Sequence, residues 1–162
     1  MALLDEQLVE EWLNQKGFFT IRGIKVGLGE IDLLAVKPSA EPMECWHVEV
    51  QISFRPIGYI GGNTNAKSRS TAEMQAGVEQ WVEKKFTNAK KSTVRNQLLP
   101  KANWKFFLVH GVVRDTCELL EMNKLGVETI KYGDLLHELR DKKIVHSSSM
   151  ASSIAEILRF VR

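Results

Sequence analysis

Two carboxylates stand where a folded chain rarely puts them. Asp32 lies inside Gly29-Glu30-Ile31-Asp32-Leu33-Leu34-Ala35-Val36, and Glu49 inside Trp46-His47-Val48-Glu49-Val50-Gln51-Ile52. An unpaired charge within an apolar strand is expensive to bury, so each needs a partner or a task. On neighbouring strands the two would converge on one spot. Strand alternation puts Glu49 and Gln51 on one face and Val50 on the other. Two converging carboxylates with a nearby backbone carbonyl make an all-oxygen donor set. That set suits Mg²⁺ or Mn²⁺ rather than zinc. Taken singly, each carboxylate reads as a strand-edge group in an ion pair. The pair in this order, with Gln51 on the same face, points to a metal site.

The elements that must position these groups follow from periodicity. Leu4, Leu8 and Trp12 recur every fourth residue, with Val9 and Leu13 beside them, so residues 3–15 read as a helix ending at Gly17. Phe18 to Val26, Glu30 to Val36 and Cys45 to Ser53 read as strands of an antiparallel meander, with a tight turn at Gly27-Leu28-Gly29 and a loop over residues 38–43. Residues 55–70 read as a loop. Thr71 to Phe86 has helical spacing through Met74, Val78, Trp81 and Val82, whereas residues 87–101 read as a polar, basic and mobile stretch. Trp104 to Val113 is the candidate buried central strand. A short helix at Cys117 to Leu125, a short strand at Val127 to Lys131, and helices over 132–142 and 151–161 complete the chain. A meander followed by a crossover helix and a further strand implies an α/β fold with a mixed sheet flanked by helices. The expectation is one domain over 1–162, with its core at roughly 3–131 and C-terminal helices at 132–162.

The chain has 162 residues, 44% hydrophobic and 26% charged, which excludes a disordered chain, a collagen-like one and a disulfide scaffold. Cys45 and Cys117 belong to no metal-ligand spacing and read as reduced core thiols. With no signal peptide or membrane-length apolar run in the sequence, a cytoplasmic protein is expected. The net charge of +2 hides an asymmetry: residues 51–114 carry eleven basic and three acidic side chains, while residues 1–50 carry four and nine. A polyanion partner and a merely solvated surface explain that basic middle equally well.

The order of elements and these motif positions resemble the PD-(D/E)xK nuclease superfamily, the restriction-endonuclease-like fold with its αβββαβ core. The Gly29–Ala35 run is similar to the Asp-bearing strand of archaeal Holliday-junction resolvases and related bacterial nucleases. Val48-Glu49-Val50-Gln51 resembles the Glu-x-Lys strand, with Gln51 where the family has Lys. Counting eleven residues back from Gly17 reaches Glu6, which matches the first-helix Glu of the resolvase-like branch. The resemblance implies Mg²⁺- or Mn²⁺-dependent phosphodiester hydrolysis, with Asp32, Glu49 and the Val50 carbonyl holding the metal. It also implies that Glu6 holds a second metal or a metal-bound water; Glu10 and Glu11 are rivals for that role. Gln51 can orient water but carries no charge. Some restriction and homing endonucleases with Gln at this place are active, and other members of the superfamily only bind.

Phosphate contacts are expected from the loop that leaves the Glu49 strand, through Arg55, Asn63, Asn65, Lys67 and Arg69. Lys67 reads either as a substitute for the missing strand Lys or as a solvated loop residue, and Tyr59 either as a base-stacking group or as packing against the domain. Trp12, Trp81 and Trp104 read as core, while Trp46 is open. His47, which shares the Glu49 face, reads either as a supporting group of the site or as a satisfied structural histidine. Three functions follow: a metal-dependent DNA endonuclease of restriction, homing or junction-resolving type; a catalytically silent nucleic-acid-binding module on the same fold; or a protein-interaction domain with structural ion pairs. Symmetric substrates would favour a homodimer.

Overall fold

The computed structural model describes residues 2–52, 69–141 and 149–160. Helix α1 spans Ala2–Gln15 and turns at Gly17, whose φ of +89° suits a residue without a Cβ. Strands β1 (Phe19–Val26), β2 (Gly29–Lys37) and β3 (Glu44–Gln51) follow as an antiparallel meander. The chain then builds helix α2 (Thr71–Val82), a π-helical turn over Glu83–Thr87, and helix α3 (Ala89–Leu98). Strand β4 (Trp104–His110) returns parallel to β3, and β5 (Val127–Lys131) lies parallel to β4 after helix α4 (Thr116–Lys124). Helices α5 (Tyr132–Asp141) and α6 (Met150–Leu158) close the chain. The sheet order is β1-β2-β3-β4-β5, a five-stranded mixed sheet flanked by helices in an α/β fold.

The two faces of the sheet are covered differently. On one, Leu33, Ala35, Val48, Phe107 and Val109 pack against Leu8, Val9, Trp12 and Leu13 of α1, Leu135 and Leu139 of α5, and Ala151 and Ala155 of α6. The C-terminal helices therefore belong to the main core. Trp46 sits there too, with its ring centroid 4.0 Å from that of Phe107 and 4.6 Å from that of Phe18, so it is a packing residue. On the other face, Leu108 and Val127 meet Val78, Val82, Phe86 and Met122.

Several sequence expectations are corrected. Residues 87–101 are not a mobile basic stretch: they contain α3, started by the Asn88 side chain accepting from the Lys91 N–H. Its helical signal is hidden because the buried positions are Lys91 and Arg95 rather than apolar residues. The helix expected to run through Phe86 ends at Val82 and continues as the π-helical turn, which drives Phe86 fully into the core. The central strand is β3, with β4 interior beside it. Cys45 is buried as expected, but Cys117 is exposed, because α4 turns Glu118 and Met122 inward instead. Among the described residues no helix is long and apolar enough to cross a membrane.

Candidate functional site

The β2–β3 pairing positions the two carboxylates. It runs from Lys37↔Glu44 to Leu33↔Val48, so the same register puts Asp32 opposite Glu49 on one face of the sheet. The backbone ladder stops there. Gln51 points its carbonyl toward β4, where it accepts from the Gly111 N–H at 3.3 Å. Val50, one residue earlier, turns its backbone toward β2, and its N–H donates to Asp32 Oδ2 at 2.8 Å. A strand residue presents N–H and C=O on the same edge, so the Val50 carbonyl also faces this gap.

Three carboxylates meet here. Ligand oxygens of Glu6 from α1 and of Glu30 and Asp32 from β2 lie within 4.8 Å of one another. Glu6 is thus the α1 acid that reaches Asp32. Its rivals are engaged elsewhere: Glu10 accepts from Arg22 Nε at 3.0 Å and from the Thr20 hydroxyl at 2.9 Å, and Glu11 accepts from Gln15. Glu30 is a site residue that the sequence reading passed over. Its signal was present, since residues 30 and 32 of one strand share a face. Glu30 also pairs with the exposed Lys25.

Electrostatics mark this as a crowded acidic pocket. Burial, reinforced by the Glu49 charge, pushes the Asp32 carboxyl up to about 7, and the Val50 N–H offsets only part of that. Burial and the charge of Glu30 also raise Glu6.

Glu49 is the counterpoint. It stands outside the group of three and is 1% exposed. Lys85 Nζ donates to its Oε2 at 2.8 Å, and Lys91 Nζ to its Oε1 at 3.0 Å. His47 supplies a third donor. The guanidinium of Arg95 can only donate, and NH1 lies 2.8 Å from His47 Nδ1, so that nitrogen accepts and Nε2 carries the proton. The Nε2–H then donates to Glu49 Oε1 at 2.9 Å. Burial opposes ionisation of Glu49, but His47 and the two lysines outweigh it and bring the carboxyl down to about 2. His47 itself is pushed down to about 4, chiefly by burial, and is neutral at pH 7. Both of its ring nitrogens are thereby partnered in the interior, one by Arg95 and one by Glu49. Arg95 also donates to the Phe86 carbonyl and Lys91 to the Lys85 carbonyl, both at 2.8 Å, which ties α3 to the π-helical turn.

Two of the four proposed site residues, Asp32 and Glu6, thus meet with Glu30. Glu49 lies next to them with two donors on Oε1 and one on Oε2, and Gln51 follows on its face, half-buried at the end of β3. Lys85 and Lys91 escaped the sequence reading, which left the basic middle open between a polyanion partner and a solvated surface and placed neither lysine in the site. Of the expected phosphate contacts, Arg55, Asn63, Asn65 and Lys67 lie outside the described residues, as does Tyr59. Arg69 is described, and its side chain is 11% exposed with NH1 3.5 Å from Oε1 of buried Glu118. It ties the segment before α2 to α4 and does not project as an open phosphate contact.

No protein-family model and no curated protein matches the chain. Among solved structures, the chain is similar to AF1548, a crystal structure described as a protein of unknown function. The two are 13% identical with a TM-score of 0.48, and the match covers 83% of this chain and 66% of that one, just short of two thirds of its length.

Proposed function

We propose that the protein is a metal-dependent DNA endonuclease of the cytoplasm, hydrolysing phosphodiester bonds at the mouth of the β2–β3 gap. The observation that carries this reading is the convergence of Glu6, Glu30 and Asp32 beside an ionised Glu49. Hard oxygen donors that repel one another fit a small divalent cation such as Mg²⁺ or Mn²⁺, whose charge relieves their crowding. Asp32, Glu6 and Glu30 would hold it, with the Val50 carbonyl on the same edge. Glu49, its oxygens engaged, contributes charge beside the ion. A bound divalent ion supplies an acidified water and polarises a phosphate oxygen. The chain's own part is to hold the acids together, to fix Asp32 through the Val50 N–H, and to keep Glu49 charged through His47, Lys85 and Lys91. Exposed Lys84 and Lys90 lie in and just after the π-helical turn that carries Lys85, where a polyanion gains counterion-release affinity.

Purified protein incubated with supercoiled and branched DNA tests this directly. Cutting with Mg²⁺ or Mn²⁺, none with EDTA, and loss of cutting with retained DNA binding in Asp32→Ala are expected. Cutting that survives Asp32→Ala would show that the site is assigned wrongly. One observation favours a second reading, a nucleic-acid-binding module without activity: three donors occupy Glu49, and Gln51 brings no charge. Salt-dependent DNA binding with no cleavage under any metal would establish that reading instead.

A further inference from the structure

The acids of this site are matched by a cation that the strand does not provide. We propose that Lys85, delivered by the π-helical turn, is the cation that contacts the scissile phosphodiester, in the place Gln51 leaves uncharged. This inference rests on the endonuclease reading and assigns the substrate-facing charge within it.

Three observations converge on Lys85. Its ammonium is anchored to the site, 2.8 Å from Glu49 Oε2, yet its side chain is 31% exposed, so it faces both Glu49 and solvent. Its charge acts on Asp32, Glu6 and Glu30 as well as on Glu49. It rides on the π-helical turn Glu83–Thr87, a rare geometry that tends to persist where a side chain must be re-aimed. The turn sends neighbouring Phe86 into the core and Lys85 toward Glu49.

The other cations near the acids are committed. Lys91 is buried, with its ammonium divided between Glu49 and the Lys85 carbonyl, so it positions Lys85 and cannot reach a substrate. Arg95 is buried against His47 and the Phe86 carbonyl. Arg22 is paired with Glu10, and Lys25, although it meets Glu30, has a side chain 80% exposed and is a solvated cation rather than one fixed in the gap.

In the hydrolysis, the oxygen of a water bonds to phosphorus while the bond from phosphorus to one sugar oxygen breaks. That oxygen leaves with the electron pair and ends as a hydroxyl, carrying one of the water's protons. Negative charge grows on the non-bridging oxygens as the water adds, and a fixed ammonium beside them is worth more in that state than before it.

The test uses the full chain with supercoiled plasmid DNA and Mn²⁺, and compares wild type, Lys85→Gln and the double variant Lys85→Gln/Gln51→Lys. Glutamine at 85 retains an N–H donor, one bond shorter than that of lysine, and removes the charge, while Lys91 and His47 still donate to the buried carboxylate. Cleavage by K85Q is expected to fall about 100-fold. Mn²⁺ affinity by calorimetry, read without DNA, is expected to rise several-fold, because a competing positive charge has gone. The double variant, with the charge returned on the strand, is expected to recover at least about 10-fold over K85Q. Cleavage by K85Q within twofold of wild type overturns the assignment, as does weakened Mn²⁺ binding, which would mark Lys85 as structural. Failure of the double variant to recover would show that position, not charge, is what Lys85 provides, and also overturns it. A wild-type protein that binds no Mn²⁺ and cuts nothing overturns the endonuclease reading itself, and is distinguished by that result alone.

Discussion

The main-chain N–H of Val50 donates to Asp32 Oδ2 at 2.8 Å, so the carboxylate of one strand is held by the backbone of the next where their ladder ends. That bond fixes the carboxylate but does not discharge it, and burial with the Glu49 charge still raises its pKa to about 7.

Asp32→Asn keeps an acceptor for Val50 and removes the crowded charge. A carboxyl raised from 3.8 to about 7 favours the folded state when protonated, so its contribution is lost as pH rises from about 4 to about 7. His47, lowered from 6.5 to about 4, acts in the opposite sense, since its neutral burial is penalised as pH falls through that window. Wild-type stability alone mixes the two. The difference between Asp32→Asn and wild type isolates Asp32: in EDTA, the variant's melting-temperature advantage should grow between pH 5 and pH 7.5. A constant difference would mean that Asp32 is not desolvated.

Lys91 and Lys90 are adjacent lysines with opposite expectations. Lys91 is buried against Glu49 and the Lys85 carbonyl, while Lys90 is exposed. Lys91→Met leaves a buried carboxylate and a buried carbonyl short of a donor and should cost about 3 kcal/mol or more. Lys90→Met should stay within about 0.5 kcal/mol of wild type. Urea denaturation of the two variants side by side checks this.

Much of the framework was legible because apolar alternation and helical spacing were strong where packing is apolar. The αβββ opening follows from side-chain period and the mixed sheet from the crossover connection, while the shared face of Asp32 and Glu49 also needed the β2–β3 register. Helix α3 was not legible for the converse reason, since its inward positions are Lys91 and Arg95, and a hydropathy pattern has no sign for a buried cation. Lys85 was hidden by the same composition and by the π-helical turn, which breaks the spacing expected after Val82. Glu30 was recoverable from its i, i+2 relation to Asp32. Cys117 looked apolar by its neighbours, but one step around α4 separates it from buried Glu118.

Removing His47 should loosen Glu49 without touching the acid trio. His47→Leu deprives Arg95 of an acceptor and Glu49 Oε1 of a donor, both in the interior, and should destabilise the fold by about 2–4 kcal/mol. A loss below about 1 kcal/mol in urea denaturation would show that the bridge is dispensable.

Helix α1 carries four acids, and Glu6 and Glu10 give a comparison within one helix. Glu6→Gln should weaken Mn²⁺ binding about 10-fold or more, whereas Glu10→Gln, which breaks only the Arg22 and Thr20 contacts, should leave it within twofold. Calorimetric titration with Mn²⁺ decides whether the helix contributes a ligand and which residue it is.

The central claim is that Glu6, Glu30 and Asp32 hold one divalent cation, and anomalous diffraction from a crystal soaked in Mn²⁺ tests it most directly. A single anomalous peak is expected among those three carboxylates, at metal–oxygen distances of about 2.0–2.2 Å, and is expected to vanish in Asp32→Asn. An empty gap at millimolar Mn²⁺, or a peak elsewhere that Asp32→Asn leaves in place, would contradict it.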